Sequence, residues 1–225
     1  MDYQFLSKTA LFRGVSPDEI KTMFTCLRPD TRTFRRGETI LRAGDSVTSV
    51  GLVLSGSVSI ESDDVWGNRS ILDHAASGQL FAETYACLPG EALMINVVAN
   101  ETTQVLFLDI SRVLHICANA CAFHNKLVRN LLTIASLKNL NLSRRIFHTS
   151  SKSIRGRLLS YLSFQATRHG SREFDIPFGR QQLADYLSVD RSALSNELSK
   201  MQRDGLLRYE KNHFLLTGID PGDHI

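Results

Sequence analysis

Residues 179–208 contain two amphipathic stretches joined by a short turn, and no other segment restricts the possible folds as strongly. The first stretch predicts a helix over 180–187, followed by a turn at 188–190. Asp190 can cap the second helix by accepting a hydrogen bond from its first turn, and Gly205 can end that helix with a positive φ. Six apolar residues recur at helical spacing on the side that both helices would bury: Leu183, Ala184, Leu187, Leu194, Leu198 and Met201. The spacing predicts a helix-turn-helix.

The outward face of the second helix is polar and carries side chains that can hydrogen bond to base edges. An α-helix fits the major groove of DNA, where arginine pairs with guanine and asparagine with adenine through two hydrogen bonds. Arg191 and Asn196 are the predicted base readers, and the small hydroxyls of Ser192 and Ser195 between them would let the backbone approach. The residues predicted to contact phosphates, which position a protein without reading sequence, are Arg180, Gln181 and Lys200. For these residues alone, an ordinary helical hairpin with a solvated face is the alternative interpretation.

The residues around this motif add a predicted hairpin and a local positive charge. Segments 206–208 and 214–216 flank Glu210-Lys211-Asn212-His213, a pattern that indicates two short strands, or wing, after the second helix. Residues 151–213 hold 11 Lys or Arg against 7 Asp or Glu, whereas residues 1–150 hold 15 against 14. Because the basic excess lies beside the predicted motif, it favours a polyanionic partner such as double-stranded DNA.

The first half of the chain predicts a small helical segment followed by many short strands. Ser16-Pro17-Asp18-Glu19 is a typical helix start, with a capping serine, proline in the first turn and two acids at the positive end of the helix dipole. From 31 to 109, short β-branched and aromatic runs alternate with glycine turns, which predicts a barrel or sandwich of antiparallel strands. Within it, residues 52–60 are interpreted as a hairpin that turns at Ser55-Gly56.

A long helix is predicted from Ser111 to about Arg145, because this stretch contains neither proline nor glycine. Six positions follow the spacing of a coiled-coil seam and are the predicted dimer interface: Phe123, Leu127, Asn130, Ile134, Leu137 and Asn141. Packing of this helix on its own domain is the alternative. The polar stretch from His148 to Ser153 is the predicted hinge between two domains.

The sequence gives no indication of secretion or of a membrane anchor. The first ten residues lack the apolar core of a signal peptide, and no apolar run approaches the roughly 18 residues of a membrane span. We therefore expect a cytoplasmic protein without a membrane partner, in which the four cysteines need not form disulfides.

The whole pattern resembles the Crp/Fnr family of bacterial regulators over about 210 residues. The resemblance is carried by Arg36-Gly37, Ala43-Gly44-Asp45, Ser55-Gly56-Ser57-Val58, Gly78-Gln79-Leu80-Phe81-Ala82-Glu83 and the segment RQQLADYLSVDRSALSNELSKMQRDGLL. It implies an α+β fold: a jelly-roll-like β-roll sensor domain over 1–110, a long dimerisation helix over 111–147 and a winged helix-turn-helix domain over 148–225. It also implies a homodimer that binds a pseudo-palindromic DNA site, a small effector, RNA polymerase as a further partner and no enzymatic activity. The base contacts that the resemblance implies come from Arg191, Ser192, Ser195 and Asn196.

The resemblance breaks down at the residues that would hold a cyclic nucleotide. Family members that bind one carry a glycine before the glutamate of the phosphate cassette and an arginine about ten residues later, whereas this chain has Ala82 and no arginine over 91–96. A buried phosphate without its cation would be poorly compensated, so the predicted effector is not cyclic AMP. The residues expected to line the effector pocket are Glu83, Thr84, Tyr85, Leu93 and Met94, with Lys138 or Asn139 from the long helix.

Other sensing chemistries are compatible with the same architecture and stay open. Cys117 and Cys121 are four residues apart, with His124 nearby, which is a possible metal or redox site, although buried structural cysteines are the commoner case. An iron–sulfur cluster is poorly supported because Cys26 is the only cysteine near the N-terminus. His74, His115 and His124 are possible haem ligands, and a constitutive DNA-binding protein with a vestigial sensor domain is a further alternative.

Overall fold

The computed structural model describes residues 1–63, 66, 69–114 and 122–217. The chain forms two compact units, Met1–Leu137 and Lys138–Ile225. One long helix, α5 (Ala122–Thr149), contributes residues to both units. The division of the chain into the domains 1–110, 111–147 and 148–225 stays a prediction.

The first unit begins with two helices, α1 (Tyr3–Lys8) and α2 (Pro17–Leu27). The predicted start of α2 is confirmed: the Glu19 backbone N–H donates to Ser16 Oγ at 3.3 Å, and the Ser16 backbone N–H donates to the Glu19 carboxylate at 2.6 Å. This reciprocal capping satisfies backbone donors at the end where a helix leaves them exposed. The buried face of α2 then packs into the core of the unit.

Two antiparallel four-stranded sheets form the β-roll of the first unit. One has the order β1-β8-β3-β6 and the other β2-β7-β4-β5. The strands are β1 (Asp30–Phe34), β2 (Thr39–Leu41), β3 (Ser49–Ser55), β4 (Ser57–Asp63), β5 (Arg69–Ala76), β6 (Leu80–Phe81), β7 (Asn96–Ala99) and β8 (Thr103–Asp109). Two short helices, α3 (Glu83–Ala86) and α4 (Ile110–Leu114), follow β6 and β8. The predicted antiparallel β-roll is confirmed.

The hairpin predicted over 52–60 is wrong, because β3 and β4 follow each other in the chain but belong to different sheets. The crossing occurs at Gly56, where φ is +78°. A Cβ at this position would lie 2.6 Å from Thr103 Oγ1 and 2.7 Å from the Thr102 carbonyl oxygen. The glycine therefore marks a close passage between backbones, and turn residues alone could not distinguish this crossing from a hairpin.

Strands β3 and β8 are buried on both faces. Val53 and Val105 point between the two sheets, in a core that also contains Phe81. Leu52 and Leu106 belong to the other core, which packs against the helices. This two-sided burial explains why both strands have almost continuous apolar runs instead of an alternating pattern.

The predicted dimer seam on α5 needs correction, because its N-terminal half packs on its own unit. Leu127 is 0% exposed, and Phe123 and Ile134 pack against the same core. The Asn130 side-chain amide donates to the carbonyl oxygens of Leu11 and Arg13, at 2.8 and 2.9 Å. Helical spacing shows that these side chains share a face, but it does not show which neighbour that face meets.

The second unit consists of the C-terminal half of α5, three shorter helices and a three-stranded sheet. The helices are α6 (Ile154–His169), α7 (Arg180–Leu187) and α8 (Arg191–Arg203). The strands are β9 (Glu173–Asp175), β10 (Leu207–Glu210) and β11 (His213–Leu216), arranged in the antiparallel order β10-β11-β9. Among the helices that the structure describes, none has the length and apolar character needed to cross a membrane.

The hinge predicted at 148–153 is narrower than expected, because α5 continues through His148 to Thr149. The His148 side chain is 1% exposed and packs against the rings of Tyr161, Phe164 and Tyr186, whose centroids lie 5.1–6.1 Å away. Its burial, with a smaller contribution from the nearby charge of Arg144, lowers the pKa of His148 below its usual value. The polar composition of this stretch favours a loop, but its histidine is a core residue.

Candidate nucleic-acid interface

Helices α7 and α8 form the predicted helix-turn-helix with local features that match the sequence. Ser188 adopts the left-handed conformation (φ 54°, ψ 52°), and the Val189 backbone N–H donates to the Ala184 carbonyl at 3.0 Å. The Ala193 backbone N–H donates to Asp190 Oδ1 at 2.9 Å, which confirms the predicted cap of α8. Hydrogen bonds from the Ser192 hydroxyl and the Ala193 backbone hold the pKa of Asp190 below its usual value. The cap therefore stays charged at neutral pH.

The inward faces of the two helices are buried as predicted, with every apolar residue of the motif at 0% exposure: Leu183, Ala184, Leu187, Leu194, Leu198 and Met201. They pack in one core with residues of α6 and of the sheet. After α8, Gly205 has a φ of +75° and turns the chain into β10. β10 pairs with β11 in the register Leu207↔Leu216 to Glu210↔His213, which confirms the wing.

The residues predicted to contact bases lie together on the outward face of α8. Ser192 Oγ donates to Asp190 Oδ1, and Ser195 Oγ donates to the Arg191 carbonyl at 2.9 Å, so both hydroxyls bond locally. Arg191 and Asn196 are exposed. Within the described residues, neither of their side chains makes a hydrogen bond or an ion pair, which leaves both hydrogen-bonding groups available.

The three residues predicted to contact phosphates differ in how strongly their side chains interact with other groups of the protein. The Arg180 guanidinium lies 4.9 Å from the centre of the Tyr209 ring and donates to the Lys211 carbonyl at 3.2 Å, so it holds α7 against the wing. Gln181 Nε2 donates to Asp185 Oδ1 at 2.9 Å. Lys200 is more than half exposed, and its Nζ lies as far as 4.0 Å from Glu197 Oε2. Of the three residues, it therefore has the most available charged group.

Two arginines that the sequence analysis missed cap the end of α7 and the turn. Arg145 on α5 donates to the carbonyl oxygens of Asp185 and Tyr186, at 2.9 and 3.1 Å. Arg157 on α6 donates to those of Leu187 and Ser188, at 2.9 and 3.0 Å. The last carbonyls of a helix have no partner within the helix, and a cation favours the negative end of the helix dipole. No sequence signal identified these contacts, because the partners lie 30 to 41 residues apart.

A second arginine on α6 holds the predicted recognition helix. Arg155 Nε lies 2.6 Å from Glu197 Oε1, and Arg155 Nη2 lies 2.7 Å from Asp204 Oδ2. One guanidinium therefore binds both the middle and the C-terminal end of α8. Because the outward face of a helix points opposite to its anchored face, these contacts fix the direction in which Asn196 and its neighbours project.

The wing contains a histidine bound between two acids. His213 Nδ1 lies 3.0 Å from Asp175 Oδ1, and His213 Nε2 lies 3.0 Å from Glu173 Oε1. The hydrogen bonds to Asp175 and then to Glu173 raise the pKa of His213 above its usual value. Protonated His213 therefore ties β11 to β9 across the sheet, and this contribution is lost as the pH rises through the raised pKa.

The residues predicted to line an effector pocket lie around α3 and the loop before β7. Glu83 and Leu93 are buried, and the Met94 backbone N–H donates to the Tyr85 hydroxyl at 3.4 Å. Thr84 and Met94 are exposed. Lys138 and Asn139 lie on α5 in the second unit, so their participation in this pocket stays a prediction.

Ala82 has a left-handed backbone (φ 62°, ψ 11°) immediately before α3. This conformation costs an L-residue with a Cβ roughly 1 kcal/mol or more, whereas glycine adopts it freely. We expect Ala82→Gly to raise the free energy of unfolding by about 1 kcal/mol, less the entropy that glycine adds to the unfolded chain. Chemical denaturation with circular dichroism measures this shift. Ala86→Gly, on the buried helical side of α3, is the control and is expected to destabilise.

The candidate metal or redox site cannot be assembled from the described residues. Cys117 and Cys121 lie outside them, while His124 is 2% exposed on α5. Over residues 1–63, 66, 69–114 and 122–217, no group of three or more His, Cys, Asp or Glu side chains is arranged to hold a metal ion. Cys26 and Cys87 are free and exposed, and burial together with the nearby Glu83 charge raises the pKa of the Cys87 thiol.

A β-roll joined to a winged helix-turn-helix defines a class of DNA-binding transcription regulator, and known proteins agree with this assignment. The family model of the cyclic nucleotide-binding domain matches residues 31–120, and that of the Crp-like helix-turn-helix domain matches residues 156–220. The chain belongs to the Crp/Fnr family of transcription regulators. The resemblance seen in the sequence is thereby confirmed.

Two curated relatives and one solved structure illustrate the relationship. The transcriptional activator protein FnrL of Cereibacter sphaeroides is 25% identical over 208 residues, which cover 83% of this chain and 76% of the relative. The transcriptional activator protein FnrA of Stutzerimonas stutzeri is 24% identical over 184 residues, covering 80% and 73%. The c-di-GMP responsive global regulator CLP of Xanthomonas campestris shares the fold with a TM-score of 0.53 at 18% identity, covering 89% of this chain and 98% of that one.

Proposed function

We propose that this regulator binds a pseudo-palindromic DNA site as a homodimer, and that it reads base edges with the outward face of α8. The observation that carries the proposal is the pair Arg191 and Asn196, which are exposed on the outward face of α8 and whose side chains make no hydrogen bond with any described residue. Ser192 and Ser195 lie between them, and their small hydroxyls allow the helix backbone to approach the bases. A two-fold dimer would place two such helices about one turn of DNA apart, roughly 34 Å.

Asn196→Ala tests the assignment of base contacts. The probe is a DNA site that the intact chain selects from random sequences. We expect the Kd of the variant for this site to be about ten times higher and its preference at one base pair to be relaxed, because a contact made by two hydrogen bonds is lost. Competition binding on the selected site and on single-base variants of it measures both effects. Asn125→Ala, at an exposed position of α5 in the first unit, is the matched control. Equal losses on selected and random DNA would exclude Asn196 as a base reader.

Lys200→Ala separates contacts to phosphates from contacts to bases. Among the described residues, the ion-pair partner of Lys200 is Glu197, at the long distance of 4.0 Å, and the lysine side chain is 57% exposed. We expect affinity to fall for all sequences and the slope of log Kd against log salt to decrease by about one. The selectivity of Lys200→Ala between the selected site and random DNA should stay at the wild-type value. A slope unchanged from wild type would remove Lys200 from the phosphate contacts.

The proposed dimer contact uses the part of α5 that its own core leaves uncovered. The helix exposes six large apolar side chains: Leu132, Leu137, Leu140, Leu142, Ile146 and Phe147. Ile146, for example, is 68% exposed. Large apolar side chains left exposed in this number along one helix are typical of an interaction surface. Of the predicted seam, the proposed interface retains Leu137. It excludes Leu127, which is buried, and includes exposed apolar residues of the same helix instead.

The double variant Leu140→Lys/Ile146→Lys tests this interface. We expect the wild-type chain to be dimeric at micromolar concentration and the variant to be monomeric, because dimerisation would bury two ammonium groups of each subunit without partners. Sedimentation velocity measures the change. Leu88→Lys, at an exposed leucine of the first unit, should leave the dimer intact. A dimeric double variant would show that the subunits meet elsewhere.

We propose that DNA affinity responds to a small effector other than cyclic AMP. Ala82 replaces the glycine expected in the phosphate cassette, and residues 91–96 contain no arginine to neutralise a cyclic phosphate. An effector changes DNA affinity only by binding the two states of the protein unequally. Because both curated relatives described above are named activators, RNA polymerase is the further protein partner that we propose.

A further inference from the structure

The second unit contains a cavity of about 310 Å³ between the C-terminal part of α5, α6 and α7. Nine residues line it: Asn141, Arg144, Tyr161, Phe164, Gln165, Arg168, Pro177, Phe178 and Tyr186. None of them belongs to the predicted effector pocket, and none lies on the outward face of α8. Its volume is at the lower end of the range for small-molecule sites, roughly 300–1,000 Å³, so a ligand with a single ring matches its size.

The walls of the cavity are aromatic. The Tyr161 ring stacks near Phe178, with centroids 6.0 Å apart and planes 28° apart, and it lies 5.4 Å from the Tyr186 ring. The ring centroids of Phe178 and Tyr186 are 5.1 Å apart. Phe164 lines the cavity as a fourth ring. Aromatic walls of this kind favour a flat ring, which can stack against one face or meet an edge.

Two arginines on neighbouring helices give the cavity a positive charge. The Arg144 guanidinium lies 5.4 Å from the centre of the Phe164 ring, and Arg168 lines the same cavity from α6. Over the part of the chain that the structure describes, neither arginine forms an ion pair with an acidic side chain. Guanidinium groups bind carboxylates through paired hydrogen bonds, so an anionic ligand is favoured over a neutral or cationic one.

The Tyr161 hydroxyl is a buried donor that the described residues leave unsatisfied. Tyr161 is 1% exposed, and no described group makes a hydrogen bond of normal geometry with its hydroxyl. Burial raises the pKa of Tyr161 to about 12, although Gln165 and Arg168 act in the opposite direction. The hydroxyl therefore stays protonated, and the groups that influence it, Gln165, Tyr186 and Arg168, all line the cavity. An unsatisfied buried hydroxyl is unfavourable, and a ligand oxygen that accepts its hydrogen bond would remove this cost.

We propose that this cavity binds a small aromatic carboxylate, with its ring between the aromatic walls and its carboxylate between Arg144 and Arg168. The ligand would join α5 and α6 to Tyr186, which is on the first helix of the helix-turn-helix. Arg145, next to Arg144 in sequence, donates to the Tyr186 carbonyl, so α5 and α7 are already coupled at this point. The site goes beyond the DNA-binding function proposed above, because its occupancy can be measured without DNA.

Sodium benzoate is the probe, and benzamide, which has the same ring but no charge, is its matched control. We expect benzoate to bind the intact chain with a Kd on the order of 1 mM, as suits a ligand of this size, and benzamide to bind about tenfold more weakly or worse. Saturation-transfer NMR titration measures both. Benzoate should also perturb the His148 imidazole signals, because that ring lies 5.1 Å from Phe164. Absence of benzoate binding, equal binding of benzamide, or unperturbed His148 signals would each overturn the proposal.

Two sets of variants locate the site. Arg144→Gln/Arg168→Gln is expected to weaken benzoate binding at least tenfold, whereas Arg129→Gln, at an exposed arginine of α5 that does not line the cavity, should leave it unchanged. Tyr161→Phe removes only the unbonded hydroxyl, so it should fold at least as well as the wild type while binding benzoate several-fold more weakly. Wild-type affinity in Tyr161→Phe, or in a folded double-arginine variant, would contradict the assignment.

Discussion

Arg157→Met should lower the free energy of unfolding of the second unit by about 3 kcal/mol. A hydrogen bond from a charged donor contributes roughly 1.5–3 kcal/mol net, and water can replace part of the three bonds that this half-buried side chain makes. The guanidinium donates to three backbone carbonyls, those of Ser151, Leu187 and Ser188. Methionine keeps much of the apolar stem but supplies no donor. For a unit of this size the change corresponds to a melting temperature lower by about 10–20 °C.

Lys152→Met is the matched control, since Lys152 is exposed beside the same turn and its loss should change stability by less than about 0.5 kcal/mol. Differential scanning calorimetry resolves the transition of the second unit, and DNA affinity should fall with it because the turn between α7 and α8 loses its cap. An Arg157→Met variant with the melting temperature of the wild type would mean that water satisfies these carbonyls as well as the guanidinium does.

Gly51→Ala should destabilise the first unit by about 3 kcal/mol, the upper end of the usual cost of overpacking a core. A Cβ at Gly51 would lie 2.2 Å from Cζ of the Phe81 ring and 2.6 Å from two further ring atoms. Phe81 is 0% exposed and packs edge to face with Phe107, at a centroid distance of 6.4 Å, so the ring has no free space to enter. The methyl group therefore has to displace β3 from β6.

The double variant Gly51→Ala/Phe81→Leu separates this clash from a general effect of alanine in a strand. Leucine is smaller than phenylalanine, so the second change should be less harmful when combined with the first than when made alone. Hydrogen exchange of the β3 and β6 amides gives the local readout, and Ser55→Ala at the exposed end of β3 is the control. Simple additivity of the two changes would indicate that Phe81 does not press on Gly51.

The helix-turn-helix could be predicted nearly residue by residue because its determinants are local. The first helix was expected over 180–187 and is Arg180–Leu187. Asp190 and Gly205 mark the two ends of the second helix through their own backbone preferences. The hairpin after Gly205 follows from two short apolar segments with a turn between them. Each of these signals acts within a few residues of the structure that it specifies.

The effector site and the dimer seam show where local patterns stop being informative. Loss of the cassette glycine was visible in the sequence, but the positive φ that Ala82 keeps was visible only in the structure. Likewise, the seam residues share a helix face, and the structure shows that Leu127 and Asn130 use that face for their own unit. Spacing defines a face, whereas the neighbour that covers it depends on how distant segments fold together.

The sequence by itself determined the class of this protein, a β-roll joined to a winged helix-turn-helix, together with the helix face that is exposed for DNA. Only the tertiary structure decided that β3 and β4 separate into two sheets, that Arg145 and Arg157 cap α7, and that Arg144 and Arg168 flank an aromatic cavity. The physical reason is the range of the interactions. Caps, glycine turns and helical periodicity act between near neighbours. The hydrogen bonds of Arg145 and Arg157 to α7 join residues 30 to 41 positions apart, where no local pattern records the pairing.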